Sequence, residues 1–163
     1  MASWRHRANP RSAAVSEGKG LLVVGVDGSP HARRALDWAL AEARLRGGRC
    51  LLVHAYELGA AGSAIGLAEP VEALERSAEE LLGQELAYAR EAEPEAEGRA
   101  VPGPAAPALV DASRQADLLV VGTRGLGGIK GALLGSVSIA CVHHAVCPVV
   151  VIPPADRVAA ADD

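Results

Sequence analysis

Apolar strand-like runs alternate along the chain with stretches of helical spacing. That alternation predicts an α/β fold, a parallel sheet with helices on both faces and right-handed crossovers. Two compositional facts agree with it. The 163 residues are 50% hydrophobic, enough for one domain whose core needs neither disulfides nor metals. There is no Phe, and there are only two Trp and two Tyr. Such a core must be built from Val, Leu, Ile and Ala, as in strands buried on both faces beneath small-residue helices.

Residues 1–19 carry Pro, Ser, Ala and Arg without periodicity and are expected to form a disordered basic arm outside the domain. Gly20–Val26, GLLVVGV, is the continuous apolar run that a doubly buried strand requires, and it ends in D-G-S-P at Asp27–Pro30. Ser29 before Pro30 has the form of an N-cap with proline at N1. Ala32, Ala35, Leu36, Ala39, Leu40 and Ala43 then keep helical spacing up to Gly47-Gly48. Cys50–Tyr56 predicts a second strand, followed by a Gly/Ala-rich loop through Gly66. A long helix is expected from Ala68 to Glu93, with Val71, Leu74, Ala78, Leu81, Leu82 and Leu86 on one stripe. Its glutamates lie mainly off that stripe, on a face read as solvated and without function. Glu95–Val101 is the least apolar strand candidate and stops at P-G-P. A helix over Pro104–Gln115 leads into the strand run Asp117–Val121 with Gly122 at its end. The helix Val137–His144 and the run Pro148–Ile152 close the domain. No internal repeat is found. The predicted domain is 20–153, with 154–163 a flexible tail.

The formal net charge is −4. Arg5, Arg7, Arg11 and Lys19 stand against Glu17 alone in the arm, so the arm carries +3 and the remainder −7. A body that acidic repels phosphate backbones at long range, and few aromatics are present to stack on bases. Nucleic acid is therefore not an expected partner, whereas a small nucleotide held by local amides is compatible with the charge. The arm has no apolar signal-peptide core and no long hydrophobic run follows, so no membrane segment is expected and the predicted location is cytoplasmic. Cys50, Cys141 and Cys147 are an odd, sparse set, read as reduced thiols.

In a sheet of this kind ligands sit beyond the carboxyl ends of the strands, where strand order reverses. Three predicted ends carry unusual residues: Asp27, His54-Ala55 and Gly122. The last opens GTRGLGGIKGALLGSVS, Gly122–Ser138, with six glycines in the fourteen positions to Gly135. Glycine permits positive φ and close approach of bare N–H groups, at an entropic cost that an ordinary connection has no reason to carry. The stretch therefore points to a bound ligand. It is not a Walker A loop, since no Lys follows Gly135, and a dinucleotide G-x-G-x-x-G fails at Lys130. What remains is a strand end at Gly122, a bend at Gly125 and a helix start at Gly135-Ser136. Helix-start amides at Gly135, Ser136 and Val137, with the Ser136 hydroxyl, suit a phosphate.

Blander readings stand beside these. Asp27 alone would read as a turn or cap residue, and only with the glycine pattern does it read as a ligand contact. His54 is expected to pack or to lie beside a ribose. His143 and His144 are adjacent on a helix and so point about 100° apart, and C-x5-C between Cys141 and Cys147 is not a zinc-knuckle spacing, so no metal site is expected. No Ser/His/Asp triad or H-x-x-x-H motif is present, and nothing demands catalysis.

The spacing G-x2-G-x9-G-[ST], met by Gly122, Gly125, Gly135 and Ser136, resembles the nucleotide-binding signature of the universal stress protein family. VVGVDGSPHARRALDWAL is similar to that family's opening strand, acidic turn and first helix, LLVHAY to its second strand, and VHHAVCPVVVIP to its closing helix and strand. Together these cover nearly all of residues 20–153. The resemblance implies a Rossmann-like, five-stranded parallel sheet in the order 3-2-1-4-5. It implies ATP as the ligand, and Mg²⁺ is expected to accompany the phosphates. Asp27 and the backbone of Ala55 would meet the base or ribose, and Val121 and Gly122 would line the ribose side. Gly125, Gly135, Ser136 and Val137 would hold the phosphates. It implies also a homodimer in which the closing edge strand, at Val149, Val150, Val151 and Ile152, pairs with its counterpart about a two-fold axis. The expected function is a nucleotide-dependent module of the stress response, with a slow ATPase or a nucleotide-free dimeric adaptor as alternatives. Synthetase and PP-loop enzymes built on a similar sheet use H-I-G-H or S-G-G-x-D-S strings, and neither occurs.

Overall fold

A computed structural model describes residues 20–57, 71–125 and 134–154. The expectations for the arm, the loop through Gly66, Gly127, Gly128, Gly131 and the tail beyond Pro154 fall outside the described residues. The strands are β1 (Leu21–Gly25), β2 (Arg49–Tyr56), β3 (Glu97–Pro102), β4 (Leu118–Gly122) and β5 (Val149–Ile152). All neighbouring pairs are parallel and the order is β3-β2-β1-β4-β5, as expected. The chain runs outward from β1 through β2 to β3, then returns to β4 on the other side of β1. The carboxyl ends of β1 and β4 thus flank the point where strand order reverses.

The helices are α1 (Pro30–Arg46), α2 (Val71–Ala92), α3 (Ala105–Ala112, prolonged by a 3-10 turn at Ser113–Gln115) and α4 (Ser136–His144). Successive strand residues face opposite sides. Leu22, Val24, Leu52, Leu118 and Val120 pack with Leu36, Leu40 and Leu82 of α1 and α2. Val23, Leu51, Val53, Leu119 and Val121 pack with Leu109 of α3 and Cys141 of α4. Two cores back to back explain why the strands are apolar without alternation.

α1 follows its sequence signals closely. Ser29 Oγ accepts from the Ala32 N–H at 3.1 Å, Pro30 opens the helix, and Gly47 closes it in the left-handed region at φ 62°. Its buried residues are the six expected from helical spacing. α2 departs from expectation. Its buried residues are Ala78, Leu82, Glu85 and Ala89, while Val71 is 56% exposed. A carboxylate can take this inward position because Arg33 of α1 reaches it, Nη2 to Glu85 Oε1 at 2.9 Å. The Arg33 guanidinium also lies 4.0 Å from the centre of the Tyr88 ring, and the Tyr88 hydroxyl donates to Asp37 Oδ1 at 2.7 Å.

β3 begins at Glu97 rather than Glu95, because the Ala96 N–H closes a turn onto Glu93 O at 2.9 Å. Its lack of large apolar residues has a packing cause. A Cβ at Gly98 would stand 2.6 Å from Leu86 Cδ1, so a side chain of α2 already fills the space at this position of the strand. The last helix starts one residue earlier than expected, at Ser136. No helix among the described residues is long and apolar enough to cross a membrane.

Candidate functional site

β1 ends in a turn that holds Asp27 in one place. The Val26 N–H donates to Val53 O at 3.0 Å, extending the sheet ladder by one bond, and His54 Nδ1 lies 2.9 Å from Val26 O. A carbonyl oxygen only accepts, so Nδ1 carries the proton and donates. His54 is thereby a packed residue, as expected, and it clamps the backbone just before Asp27. Asp27 Oδ1 accepts from the Ser29 N–H at 2.9 Å, and Gly28 takes φ 76°, a conformation that favours glycine. The turn role and a ligand role for Asp27 are compatible, because the turn fixes the direction of its carboxylate.

β4 ends against the start of α1. A Cβ at Gly122 would come 2.8 Å from His31 O, so only glycine lets that helix end sit on the strand end. Three residues on, a Cβ at Gly125 would run into Asp27 Oδ2. Glycine there brings the backbone after β4 directly against the carboxylate.

α4 enters from the same side. Its first helical bond is Ile139 N–H to Gly135 O at 3.0 Å, so the amides of Ser136, Val137 and Ser138 have no acceptor within the helix. The Gly135 N–H donates to Thr123 O at 2.6 Å, and Ser138 Oγ donates to both Gly122 O (2.8 Å) and Thr123 O (3.1 Å). Thr123 is buried, and its Oγ1 has no hydrogen-bond partner among the described residues.

These ends enclose a cleft lined by Asp27, Ala55, Val121, Gly122, Gly125 and Val137, together with Arg124 and Ser138. Its deeper wall is small and apolar: Gly25, Ala32, Val53, Ala105 and Leu109. The enclosed volume is about 100 Å³. That is less than the few hundred Å³ typical of pockets that engulf a drug-sized molecule, so a nucleotide would keep part of itself in the open mouth. Six of the eight expected contacts therefore meet in one place. Gly135 and Ser136 do not line the cleft. The Gly135 N–H donates to Thr123 O, and the Ser136 side chain is exposed.

Arg124 and Ser138 were not expected. Arg124 does have a sequence signal, a cation between Gly122 and Gly125, the two glycines that frame the strand end. Ser138 carries none, because its role depends on two carbonyls more than a dozen residues away.

The thiols lie apart from this chemistry. Cys50 is buried, and burial pushes its pKa up to about 12, with Glu93 adding to the effect. Burial likewise pushes Cys141 up to about 11. Both are protonated core residues, not nucleophiles. Among the described residues no group of three His, Cys, Asp or Glu side chains is placed to hold a metal ion.

Comparison with known proteins adds an independent line. The Universal stress protein family model matches residues 21–153. A universal stress protein of Mycobacterium tuberculosis is 38% identical over 145 residues, which is 84% of this chain and 48% of that protein. The chain thus spans about half the length of this mycobacterial relative. One from Thermus aquaticus is 39% identical over 138 residues, 80% of this chain and 96% of that protein. Among solved structures, a universal stress protein in complex with cAMP is similar at TM-score 0.60 and 30% identity, covering 82% of this chain and 96% of that one. The universal stress protein from Archaeoglobus fulgidus in complex with dAMP is similar at TM-score 0.60 and 27% identity, over 82% and 97% of the two chains.

Proposed function

The chain belongs to the universal stress protein family, and we propose that its cleft binds an adenine nucleotide, ATP with Mg²⁺ first among them, as a nucleotide-dependent module of the stress response. The observation that carries this is the meeting of Asp27, Ala55, Val121, Gly122, Gly125 and Val137 in one cleft beside the start of α4. The chemistry of these residues fits the ligand part by part. Small apolar walls at Gly25, Ala32, Ala55 and Leu109 accept the flat base. The Asp27 carboxylate can accept from ribose hydroxyls. The phosphates fall to the free amides at the start of α4, with Arg124 as a planar, bidentate partner. Mg²⁺ would arrive with the phosphates, whose oxygens are its usual ligands. The related structures with cAMP and dAMP support the adenine part. A cytoplasmic location accompanies this function, since ATP is supplied there.

We propose in addition that β5 pairs with its counterpart in a homodimer. β5 is the terminal strand of the sheet, with one side paired to β4. Val149, Val150 and Val151 are half-buried and bring no charge to the free side.

Calorimetric titration with Mg·ATP, AMP and adenosine tests the site. ATP is expected to bind most tightly and adenosine least. Equal affinities would remove the phosphate assignment. Absence of all binding would favour the nucleotide-free adaptor, and ADP accumulating over hours would favour the slow ATPase.

A further inference from the structure

Ser138 is the third residue of α4, is 3% exposed and lines the cleft. Its hydroxyl carries one proton, and that proton is shared between Gly122 O at 2.8 Å and Thr123 O at 3.1 Å. The Gly135 N–H meets the same Thr123 O at 2.6 Å. Three contacts thus tie the end of β4 to the start of α4, across the two ends of the glycine-rich stretch. Packing alone does not require a hydroxyl here. Cys141 and Val137 already hold α4 to the core, and an alanine would fill nearly the same space. What the hydroxyl adds is direction. Any tilt of the first turn of α4 away from Gly122 breaks both halves of its shared bond, so the amides of Ser136 and Val137 keep a fixed distance and angle to the strand end.

We propose that Ser138 is a positioning residue that fixes the helix-start amides against the Gly122 strand end and so sets the preference of the site for a phosphorylated ligand over the bare nucleoside. This rests on the nucleotide reading given above. Ser138 does its work through the Gly122 and Thr123 carbonyls, and the base side of the cleft, around Gly25, Ala32 and Leu109, does not depend on it.

The test is calorimetric titration of the full chain and of Ser138→Ala with Mg·ATP and with adenosine. Ser138→Ala is expected to weaken ATP about tenfold, the scale of one lost hydrogen bond, while adenosine stays within about twofold. Ser138→Thr keeps the donor and is expected to keep the preference for ATP. An unchanged ATP affinity in Ser138→Ala would overturn the proposal. So would an equal loss for both ligands, which is the mark of a purely structural role. Loss of the ATP preference in Ser138→Thr, with adenosine binding intact, would overturn it as well. If the unsubstituted chain binds adenosine as tightly as ATP, it is the phosphate assignment itself that fails, and Ser138 has no preference to set.

Discussion

Gly125 and Asp27 account for each other. Any side chain at position 125 would occupy the space of the Asp27 carboxylate, and Gly125 is exposed, so the fold itself does not need glycine there. Gly125→Ala is therefore expected to turn the Asp27 carboxylate aside, at a cost to stability no larger than the loss of the Asp27–Ser29 hydrogen bond, about 1 kcal/mol. Affinity for ATP and adenosine should fall alike, by about tenfold, the scale of one charge-assisted hydrogen bond; retained affinity in a calorimetric titration would show that Asp27 does not touch the ligand. The buried thiols make a second prediction. Cys50 and Cys141 hold their protons more tightly when folded, at about 12 and about 11, than the ordinary value of 9.0 allows in the unfolded chain. The native state then binds more protons above that ordinary value, so the contribution of these two thiols to stability is full at neutral pH and is lost as pH rises from 9 toward 11 and 12. Urea midpoints measured at neutral and alkaline pH should show this decline, and Cys50→Ala should lessen it. At this scale the sequence revealed the residues whose type alone is telling, namely Asp27 after a strand and Gly122 and Gly125 after another. It could not reveal Ser138, an ordinary helix residue until the strand end is brought beneath it. Nor could it show that the Gly135 N–H donates to Thr123 O, because that acceptor comes within reach only in the folded chain.

Among the elements, α1 and α2 are joined by more than apolar contact. Glu85 is buried and Arg33, its partner, is open on one side, with 36% of its side chain exposed. Arg33→Met is expected to cost about 1 to 3 kcal/mol, below the range for a fully enclosed pair because solvent reaches the arginine side. Replacing both, as Arg33→Met with Glu85→Leu, should recover most of that loss in urea unfolding. A double variant as unstable as the single one would mean that the charge pair is not the source of the cost. α1 was legible because its N-cap, its C-terminal glycine and six apolar residues all give the same phase. α2 was not, because a stripe drawn through apolar residues alone has no place for Glu85, whose burial is licensed by an arginine 52 positions earlier. β3 was faint for a related reason. The position that apolar patterning would fill is Gly98, and Leu86 of α2 occupies the space above it.

For the whole molecule, strand order fixes which residues meet and which strands form the edges of the sheet. Leu119 N–H donates to Pro148 O and Thr123 N–H to Ile152 O, so even-numbered residues of β5 turn their backbone groups toward β4. By the two-residue period of a strand, the groups of Val149 and Val151 point outward. Val151→Pro removes one outward donor and no bond to β4, a position where an edge strand tolerates proline. Light scattering is expected to give a dimer mass for the unsubstituted chain at micromolar concentration and a monomer mass for a still-folded Val151→Pro. Val150→Pro should instead damage the pairing with β4. A monomer mass for the unsubstituted chain, with ATP present, would refute the pairing. The opposite border of the sheet is built differently: β3 exposes Glu97 and Arg99, binds Glu97 to Arg49 Nη1 at 3.1 Å, and ends on Pro102. Two copies joined at β5 would make one continuous ten-stranded sheet whose outermost strands are both β3. With charged, proline-ended strands at both limits, such a pair would offer no uncharged edge strand among the described residues to a third copy, so growth would stop at the pair and a valine-rich edge could be kept without risk of a fibre.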